Sequence, residues 1–148
     1  MKLAFIGTGK IIGDALFAVE PVETIERTAV FARPHSRKKA EDLAAQYQIP
    51  EIYTDYGQLL EETAADTVYI GLVNSAHYSY AKEALLHGKN VILEKPFTGF
   101  YEEAEELQKI AEEKKLFIFE AITILHNEVF DEMKKNLRKL GTHRMALC

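Results

Sequence analysis

Short apolar runs of strand-forming residues alternate with helical patterns along almost the whole chain. Most of these runs are unbroken rather than interrupted by a polar residue at every second position, which predicts strands buried on both faces. A helical pattern follows nearly every run, as expected when parallel strands are joined by helical crossovers. The alternation therefore predicts an α/β fold with a parallel sheet between two layers of helices.

Six strands are predicted before residue 121, which is enough for a complete Rossmann-type doubly wound sheet. The predicted strands are Lys2–Ile6, Thr28–Ala32, Glu51–Tyr53, Thr67–Gly71, Asn90–Leu93 and Leu116–Glu120. The predicted helices are Lys10–Val19, a helix with Ala40, Leu43, Ala44 and Tyr47 on one face, Gly57–Thr63, His77–His87, Tyr101–Lys114 and Asn127–Leu140. We expect residues 1–121 to form one domain.

Residues 122–148 follow a different pattern. After the helix predicted over Asn127–Leu140, a strand-like run begins at Thr142 and reaches Cys148 without a successor. This favours a linker helix and the start of a second, truncated domain, so we expect the chain to be the first part of a longer protein. A natural short tail is the alternative.

Composition excludes several classes of function. The 148 residues carry a formal net charge of −5, which gives no electrostatic footprint for nucleic acid. The basic cluster Arg33–Lys39 suits a phosphate on a small molecule better. The single cysteine, Cys148, excludes an intrachain disulfide and a cysteine-built metal site, and we predict no metal site. No apolar run reaches the roughly 18 residues of a membrane span, so we expect a cytoplasmic protein without a membrane partner.

A glycine-containing loop follows the first predicted strand. Gly7 permits a tight turn into the helix, and Gly9 lets backbone amides approach a pyrophosphate at the positive end of that helix. Ile12 stands where the third glycine of GxGxxG is expected, but that position serves packing rather than phosphate contact. A simple glycine turn is the alternative. The predicted cofactor-binding residues of this loop are Gly7, Thr8, Gly9, Lys10 and Ile11.

The end of the second predicted strand lacks the acidic residue that commonly binds the adenosine ribose. Arg33, Ser36 and Arg37 stand there instead. Arginine offers a planar fork of donors that suits a 2′-phosphate. We therefore predict that these residues bind the cofactor and that NADP(H) is preferred, with NAD(H) possible. The alternative is a solvated helix start with Ser36 as its N-cap.

Polar residues also follow the fourth and fifth predicted strands, at the edge of the sheet where ligands bind. The first group lies within Leu72–His77 and the second is Glu94–Phe97. Lys95 directly precedes Pro96, so its backbone is kept from the helical region, as suits a lysine that transfers a proton from a fixed turn. A surface Lys-Pro turn is the alternative.

Four segments together resemble one known family. They are GTGKI after the first strand, VYIGLVNSAH at the fourth, VILEKP at the fifth and FIFEA at the sixth. This set is similar to the glucose–fructose oxidoreductase/inositol 2-dehydrogenase (Gfo/Idh/MocA) family, over essentially the whole chain. The resemblance implies that residues 1–121 are an NAD(P)-binding Rossmann domain. Residues 122–148 would then be a linker helix and the start of a truncated C-terminal α/β substrate domain. The same resemblance implies hydride transfer between NAD(P) and a secondary alcohol or carbonyl of a sugar-like or cyclic compound.

The resemblance also implies roles for individual residues. Lys95 would be the catalytic lysine, in a turn shaped by Glu94 and Pro96, for which a cis Lys-Pro bond is one form. The other residues predicted to bind the cofactor are Leu72, Asn74, His77 and Glu120, with Glu94, Lys95 and Pro96 among the same set. Two departures from the family pattern are Val73 in place of proline and Ile12 in place of glycine.

The function predicted from these observations is NADP-dependent oxidation or reduction of a small molecule, by a protein that is a homo-oligomer when full length. The chain alone is expected to bind cofactor with little or no turnover. One alternative is a non-catalytic NAD(P)-sensing regulatory module, against which the presence of Lys95 argues. Another is a domain for a different nucleotide, which leaves the EKP segment unexplained.

Overall fold

In the computed structural model, six parallel strands form a single sheet in the order β3-β2-β1-β4-β5-β6. The structure describes residues 1–137 and 139, apart from the side chains of residues 124 and 126. The strands are β1 Lys2–Ile6, β2 Glu26–Phe31, β3 Glu51–Tyr53, β4 Thr67–Ile70, β5 Asn90–Leu93 and β6 Ile118–Glu120. This confirms the predicted doubly wound α/β sheet.

Helices connect the strands and flank the sheet. They are α1 Lys10–Val19, α2 Arg37–Tyr47, α3 Tyr56–Glu62, α4 Asn74–Leu86, α5 Tyr101–Lys114 and α6 Glu128–Leu137, with 3₁₀ turns at Pro34–Ser36 and Thr123–His126. None of these helices is both long and apolar enough to cross a membrane. The strand-like run predicted over Thr142–Cys148 lies outside the described residues, as does the last part of the helix predicted over Asn127–Leu140.

Two element boundaries differ from the predicted ones in a way that affects the site. Helix α4 begins at Asn74 rather than His77, because its first turn is polar and lacks the apolar period on which the prediction depended. Strand β2 begins at Glu26, two residues before the predicted Thr28, because its first residues are polar and lie at the exposed end of the strand. Strands β2 and β4 in addition end at Phe31 and Ile70, one residue before the predicted ends at Ala32 and Gly71.

The two faces of the sheet contribute to separate cores. Along β1, Ala4 and Ile6 pack in one core with residues of α3, α4 and α5, whereas Leu3 and Phe5 pack in the other with residues of α1 and α2. All four side chains are at most 2% exposed. Because successive strand residues point to opposite faces, burial of both faces explains why the apolar runs are unbroken.

The strand order reverses between β1 and β4, which lie side by side at the centre of the sheet. In open parallel sheets this switch point opens a crevice beyond the carboxyl ends of the strands, where ligands bind. The loops after β1, β2, β4 and β5 all lead into this edge. The topology thus brings together the segments from which the sequence predicts a site.

Candidate dinucleotide-binding site

The loop Gly7–Gly9, called the glycine loop below, turns sharply out of β1 into α1. Gly7 has a φ of +124°, a conformation open to glycine and strained for other residues. A Cβ atom there would lie 2.7 Å from the carbonyl oxygen of Gly71. The amide of Gly7 donates to the carbonyl of Phe31 at 2.9 Å, which ties the loop to the end of β2. The turn therefore requires a residue without a side chain at this position.

Gly9 is the N-cap of α1 and faces open space. A Cβ atom at Gly9 would meet no protein atom within 4 Å, and its φ of −74° is available to any residue. No side chain caps the helix at this end. The first amides of α1 are consequently left to a ligand, and the helix dipole favours an anion there.

The departure of Ile12 from the glycine pattern has a structural explanation at the end of β4. Ile12 is fully buried, and a Cβ atom placed on Gly71 would lie 2.8 Å from its Cδ1 atom and 2.9 Å from the Cγ2 atom of Ile11. The close approach between α1 and the sheet is therefore made possible by the missing side chain of Gly71. The glycine that this packing needs lies on the strand instead of the helix.

A cleft of about 300 Å³ lies against the glycine loop and the ends of β2 and β4. Its lining residues are Gly7, Thr8, Gly9, Ile11, Ala32, Arg33, Ser36, Gly71, Leu72 and Val73. The sequence analysis singled out most of this set but missed Ala32, Gly71 and Val73. The available signal was their position, since each lies at the carboxyl end of a predicted strand or directly beyond it.

The basic segment after β2 divides between the cleft and the solvent. Arg33 is exposed and lines the cleft together with the half-buried Ser36, whose side chain makes no capping hydrogen bond to α2. Arg37 instead donates to Glu41 at 3.1 Å along α2. Similarly, the ammonium of Lys10 lies 2.6 Å from the carboxylate of Asp14 on α1. Neither Arg37 nor Lys10 is among the residues that line the cleft, and binding of the cofactor by these two side chains stays a prediction.

The segment Glu94–Phe97, called the lysine turn below, follows β5 at the same edge of the sheet. The Lys95–Pro96 peptide bond is cis, and both residues are exposed. Glu94 is only 6% exposed, and its carboxylate accepts hydrogen bonds from the Tyr69 hydroxyl and from the Lys95 amide, the latter at 3.2 Å. Burial raises the pKa of Tyr69 above its ordinary value, and the hydrogen bond to Glu94 adds to this.

Two further side chains hold the lysine turn. The amide of Phe97 donates to the carboxylate of Glu120 at 2.8 Å. The imidazole of His77 is 1% exposed, with Nδ1 at 2.8 Å from the Pro96 carbonyl and Nε2 at 3.2 Å from the Leu72 carbonyl. The sequence analysis placed His77, Glu94 and Glu120 around the cofactor. The structure places His77 and Glu94 beneath the surface, where they support backbone that faces the crevice.

Asn74 is exposed at the first position of α4, beside the cleft residue Val73. Within the described part of the chain, no group of three or more histidine, cysteine, aspartate or glutamate side chains could hold a metal ion. The polar groups at this edge include backbone amides, the cationic side chains of Arg33 and Lys95, the Ser36 hydroxyl and the Asn74 amide. Such a set suits a phosphorylated organic ligand.

Residues 1–121 match the family model GFO_IDH_MocA, described as the oxidoreductase family with an NAD-binding Rossmann fold. The chain belongs to this family. Membership confirms the resemblance that the glycine loop and the lysine turn indicate in the sequence.

Known relatives of this chain are longer than the chain itself. The scyllo-inositol 2-dehydrogenase (NADP(+)) IolU of Bacillus subtilis (strain 168) is 32% identical over 144 residues, which are 97% of this chain and 43% of that protein. The trans-1,2-dihydrobenzene-1,2-diol dehydrogenase of Xenopus tropicalis is 26% identical over 133 residues, 90% of this chain and 40% of that protein. The chain spans less than half the length of these relatives.

Solved structures include close matches to the fold. KijD10, a 3-ketoreductase from Actinomadura kijaniata in complex with NADP and TDP-benzene, superposes with a TM-score of 0.88 at 29% identity. The match covers 94% of this chain and 42% of that one. Both the sequence and the structural comparisons therefore align this chain with part of a nicotinamide-dependent oxidoreductase.

Proposed function

We propose that the protein is an NADP-dependent dehydrogenase or reductase that transfers hydride between nicotinamide and a secondary alcohol or carbonyl of a sugar-like or cyclic compound. This chain would supply the dinucleotide-binding part. One observation carries the proposal: the glycine loop, the cleft that Arg33 lines and the exposed Lys95 all lie at the same edge of the sheet. Names of relatives support the substrate class, since they include an inositol dehydrogenase and a 3-ketoreductase.

The glycine loop fits a pyrophosphate. Gly9 leaves space where a side chain would stand, and the uncapped end of α1 offers backbone amides. The chemistry that a bound nicotinamide supplies is hydride transfer. Lys95 would exchange the accompanying proton at the substrate oxygen, and its exposed ammonium favours an enzyme over a module that only senses the cofactor.

Preference for NADP(H) over NAD(H) rests on Arg33 and Ser36. Both line the cleft at the end of β2, where a guanidinium and a hydroxyl would bind a 2′-phosphate. The carboxylate that would favour an unphosphorylated ribose is missing from this segment. Two of the relatives agree with this preference, since the name of one includes NADP(+) and the other was solved with NADP. A cytoplasmic location, a small-molecule substrate and assembly into homo-oligomers at full length belong to the same proposal.

The cofactor preference is tested by titrating NADP⁺ and NAD⁺ into the wild type and the Arg33→Asp variant by calorimetry. We expect the variant to bind NADP⁺ about tenfold to a hundredfold more weakly, since charge-assisted hydrogen bonds to the phosphate are lost. Arg37→Asp is the matched control, because it makes the same charge change outside the cleft. An Arg33→Asp variant that still prefers NADP⁺ as strongly as the wild type would show that Arg33 does not bind the phosphate.

Dinucleotide binding itself is tested with Gly9→Ala. The added Cβ meets no protein atom, so we expect an unchanged melting temperature together with a large loss of affinity for both dinucleotides. A variant that binds like the wild type would place the pyrophosphate elsewhere. Turnover of a panel of inositols, sugars and trans-dihydrodiols by the full-length protein then tests the reaction, and tight binding without turnover of any compound would indicate the sensing module.

A further inference from the structure

His77 lies between two loops that belong to different parts of the candidate site. Its Nδ1 atom is 2.8 Å from the carbonyl oxygen of Pro96, in the lysine turn. Its Nε2 atom is 3.2 Å from the carbonyl oxygen of Leu72, which lines the dinucleotide cleft. The two partners are far apart in sequence, and the imidazole is the side chain that joins them.

Burial determines what kind of role this ring can have. His77 is 1% exposed, so in this arrangement the imidazole faces backbone carbonyls rather than the crevice. It occupies the fourth position of α4, from which apolar side chains often pack against the residue before the N-cap, here Leu72. A hydrophobic residue would serve that packing equally well. The need for a histidine therefore comes from the two carbonyl oxygens.

We propose that His77 is a positioning residue that fixes the lysine turn relative to the wall of the dinucleotide cleft. This inference rests on the proposed function, because it assigns the ring a role in presenting Lys95 to a ligand held in that cleft. A neutral imidazole donates to one of the two carbonyls, and the imidazolium donates to both. In the Nδ1–H tautomer and in the imidazolium the ring donates to the Pro96 carbonyl and ties it to the base of α4. Lys95 is the residue next to Pro96.

Three substitutions separate positioning from simple packing. His77→Phe keeps a ring of similar size but removes both donors and leaves two carbonyls facing an apolar edge. His77→Asn keeps an N–H group near the place of Nδ1, so it can still donate to Pro96. His87→Phe is the matched control at the C-cap of the same helix, since His87 is exposed and its Nδ1 atom contacts the Glu83 carbonyl one turn earlier.

Two backbone amides report directly on the lysine turn. The Lys95 amide donates to Glu94 and the Phe97 amide donates to Glu120, so both are protected from hydrogen exchange while the turn is held. In His77→Phe we expect both amides to exchange about fivefold faster or more, the factor that corresponds to one lost hydrogen bond. His77→Asn should recover most of the protection at Phe97, and His87→Phe should match the wild type.

The same proteins are then measured with saturating NADP⁺. In the wild type we expect bound dinucleotide to slow exchange at Lys95 and Phe97 further, and in His77→Phe we expect that added protection to be lost. In the full-length protein the variant should lower kcat more than it raises KM, with recovery in His77→Asn. A merely structural role predicts instead faster exchange throughout α4 and β5, with no recovery in His77→Asn.

The outcomes distinguish this inference from the proposed function. Wild-type exchange rates at Lys95 and Phe97 in a folded His77→Phe variant would overturn the positioning role, whether or not dinucleotide binds. If the Phe variant fails to fold, His77→Gln supplies the test: it keeps a donor only near the place of Nε2, so loss of protection at Phe97 supports the role and wild-type protection overturns it. Failure of the wild type to bind NADP⁺ or NAD⁺ would overturn the proposed function instead.

Discussion

The two sides of the crevice are built by opposite means. On the side of β1, the glycine loop is shaped by missing side chains, with Gly7 against the backbone of Gly71 and Gly9 against open space. On the side of β5, the lysine turn is shaped by buried polar side chains. His77 contacts the Pro96 carbonyl, and Glu94, within the turn, accepts a hydrogen bond from the Lys95 amide. The comparison indicates that an added side chain at Gly7 disrupts the first side, whereas a lost donor or acceptor disrupts the second.

The physical reasons for the two sensitivities differ. An added methyl group near rigid backbone has no rotamer by which to escape, so the backbone itself must move. A removed donor instead leaves a carbonyl or carboxylate desolvated without a partner, which costs about 1–3 kcal/mol for each group. Substitutions of the two kinds can therefore test whether each side is built as described.

The largest effect is expected for Gly7→Ala. The φ of +124° is strained for alanine, and the new Cβ would lie 2.7 Å from the carbonyl oxygen of Gly71. We expect the free energy of unfolding to fall by about 3 kcal/mol or more, with loss of dinucleotide binding. Urea unfolding followed by circular dichroism measures the first and calorimetry the second.

Gly13→Ala is the control for Gly7→Ala. It adds the same methyl group in the helix interior, where no protein atom lies within 4 Å of the new position. Alanine is the better helix former, so we expect a gain of about 0.5–1 kcal/mol. Equal effects of the two substitutions would mean that the glycine loop is not confined by Gly71.

An intermediate effect is expected for Tyr69→Phe, on the other side of the crevice. The substitution removes the hydroxyl that donates to the buried Glu94 and leaves the ring beside Phe5. We expect a loss of about 1–3 kcal/mol at neutral pH, measured by urea unfolding. Tyr101→Phe is the control, since that hydroxyl binds Glu105 at the exposed surface. A Tyr69 variant as stable as the control would show that Glu94 needs no donor there.

Alkaline pH sharpens the same test. The pKa of Tyr69 is raised in the folded protein, first by burial and then by Glu94, so the unfolded chain loses this proton at lower pH. Its contribution to stability is therefore complete below the ordinary tyrosine pKa of about 10 and declines as the pH rises above it. We expect the stability difference between the wild type and Tyr69→Phe to narrow between about pH 10 and pH 12. A stability difference that stays constant over this pH range would show that the pKa of Tyr69 is not raised in the folded protein.

The sequence predicts the sheet and the glycine loop because their signals are local. Unbroken apolar runs such as Lys2–Ile6 report burial on both faces, and the glycines of the loop adjoin the first of these runs. The compensation between Ile12 and Gly71 could not be predicted, because it depends on two residues that only the folded sheet brings together. The buried position of His77 could not be predicted for the same reason, since its partners are backbone carbonyls, which carry no sequence signal.

The surface ion pairs of Lys10 and Arg37 had a signal in the sequence. Lys10 is predicted to bind the cofactor as part of the segment GTGKI, and Arg37 as part of the basic segment after the second strand. Each has an acidic residue four positions later, Asp14 and Glu41, and this spacing on a helix favours an ion pair along the surface. The spacing was present in the sequence and competes directly with a role in the cleft.

The smallest effect is expected for Lys10→Gln, and it tests whether the glycine loop binds through backbone alone. The Lys10 side chain is 89% exposed and its ammonium is paired with Asp14, and an exposed pair of this kind contributes about 0.5 kcal/mol or less to the free energy of unfolding. We expect the free energy of unfolding to fall by no more than this amount. We expect the NADP⁺ affinity to change by about twofold at most, since the charge lies outside the cleft. Lys38→Gln, which breaks the equivalent pair with Asp42 on α2, is the matched control. A tenfold loss of affinity in Lys10→Gln alone would mean that the lysine leaves Asp14 for the phosphates. The side of the crevice formed by β1 would then depend on a side chain as the opposite side does.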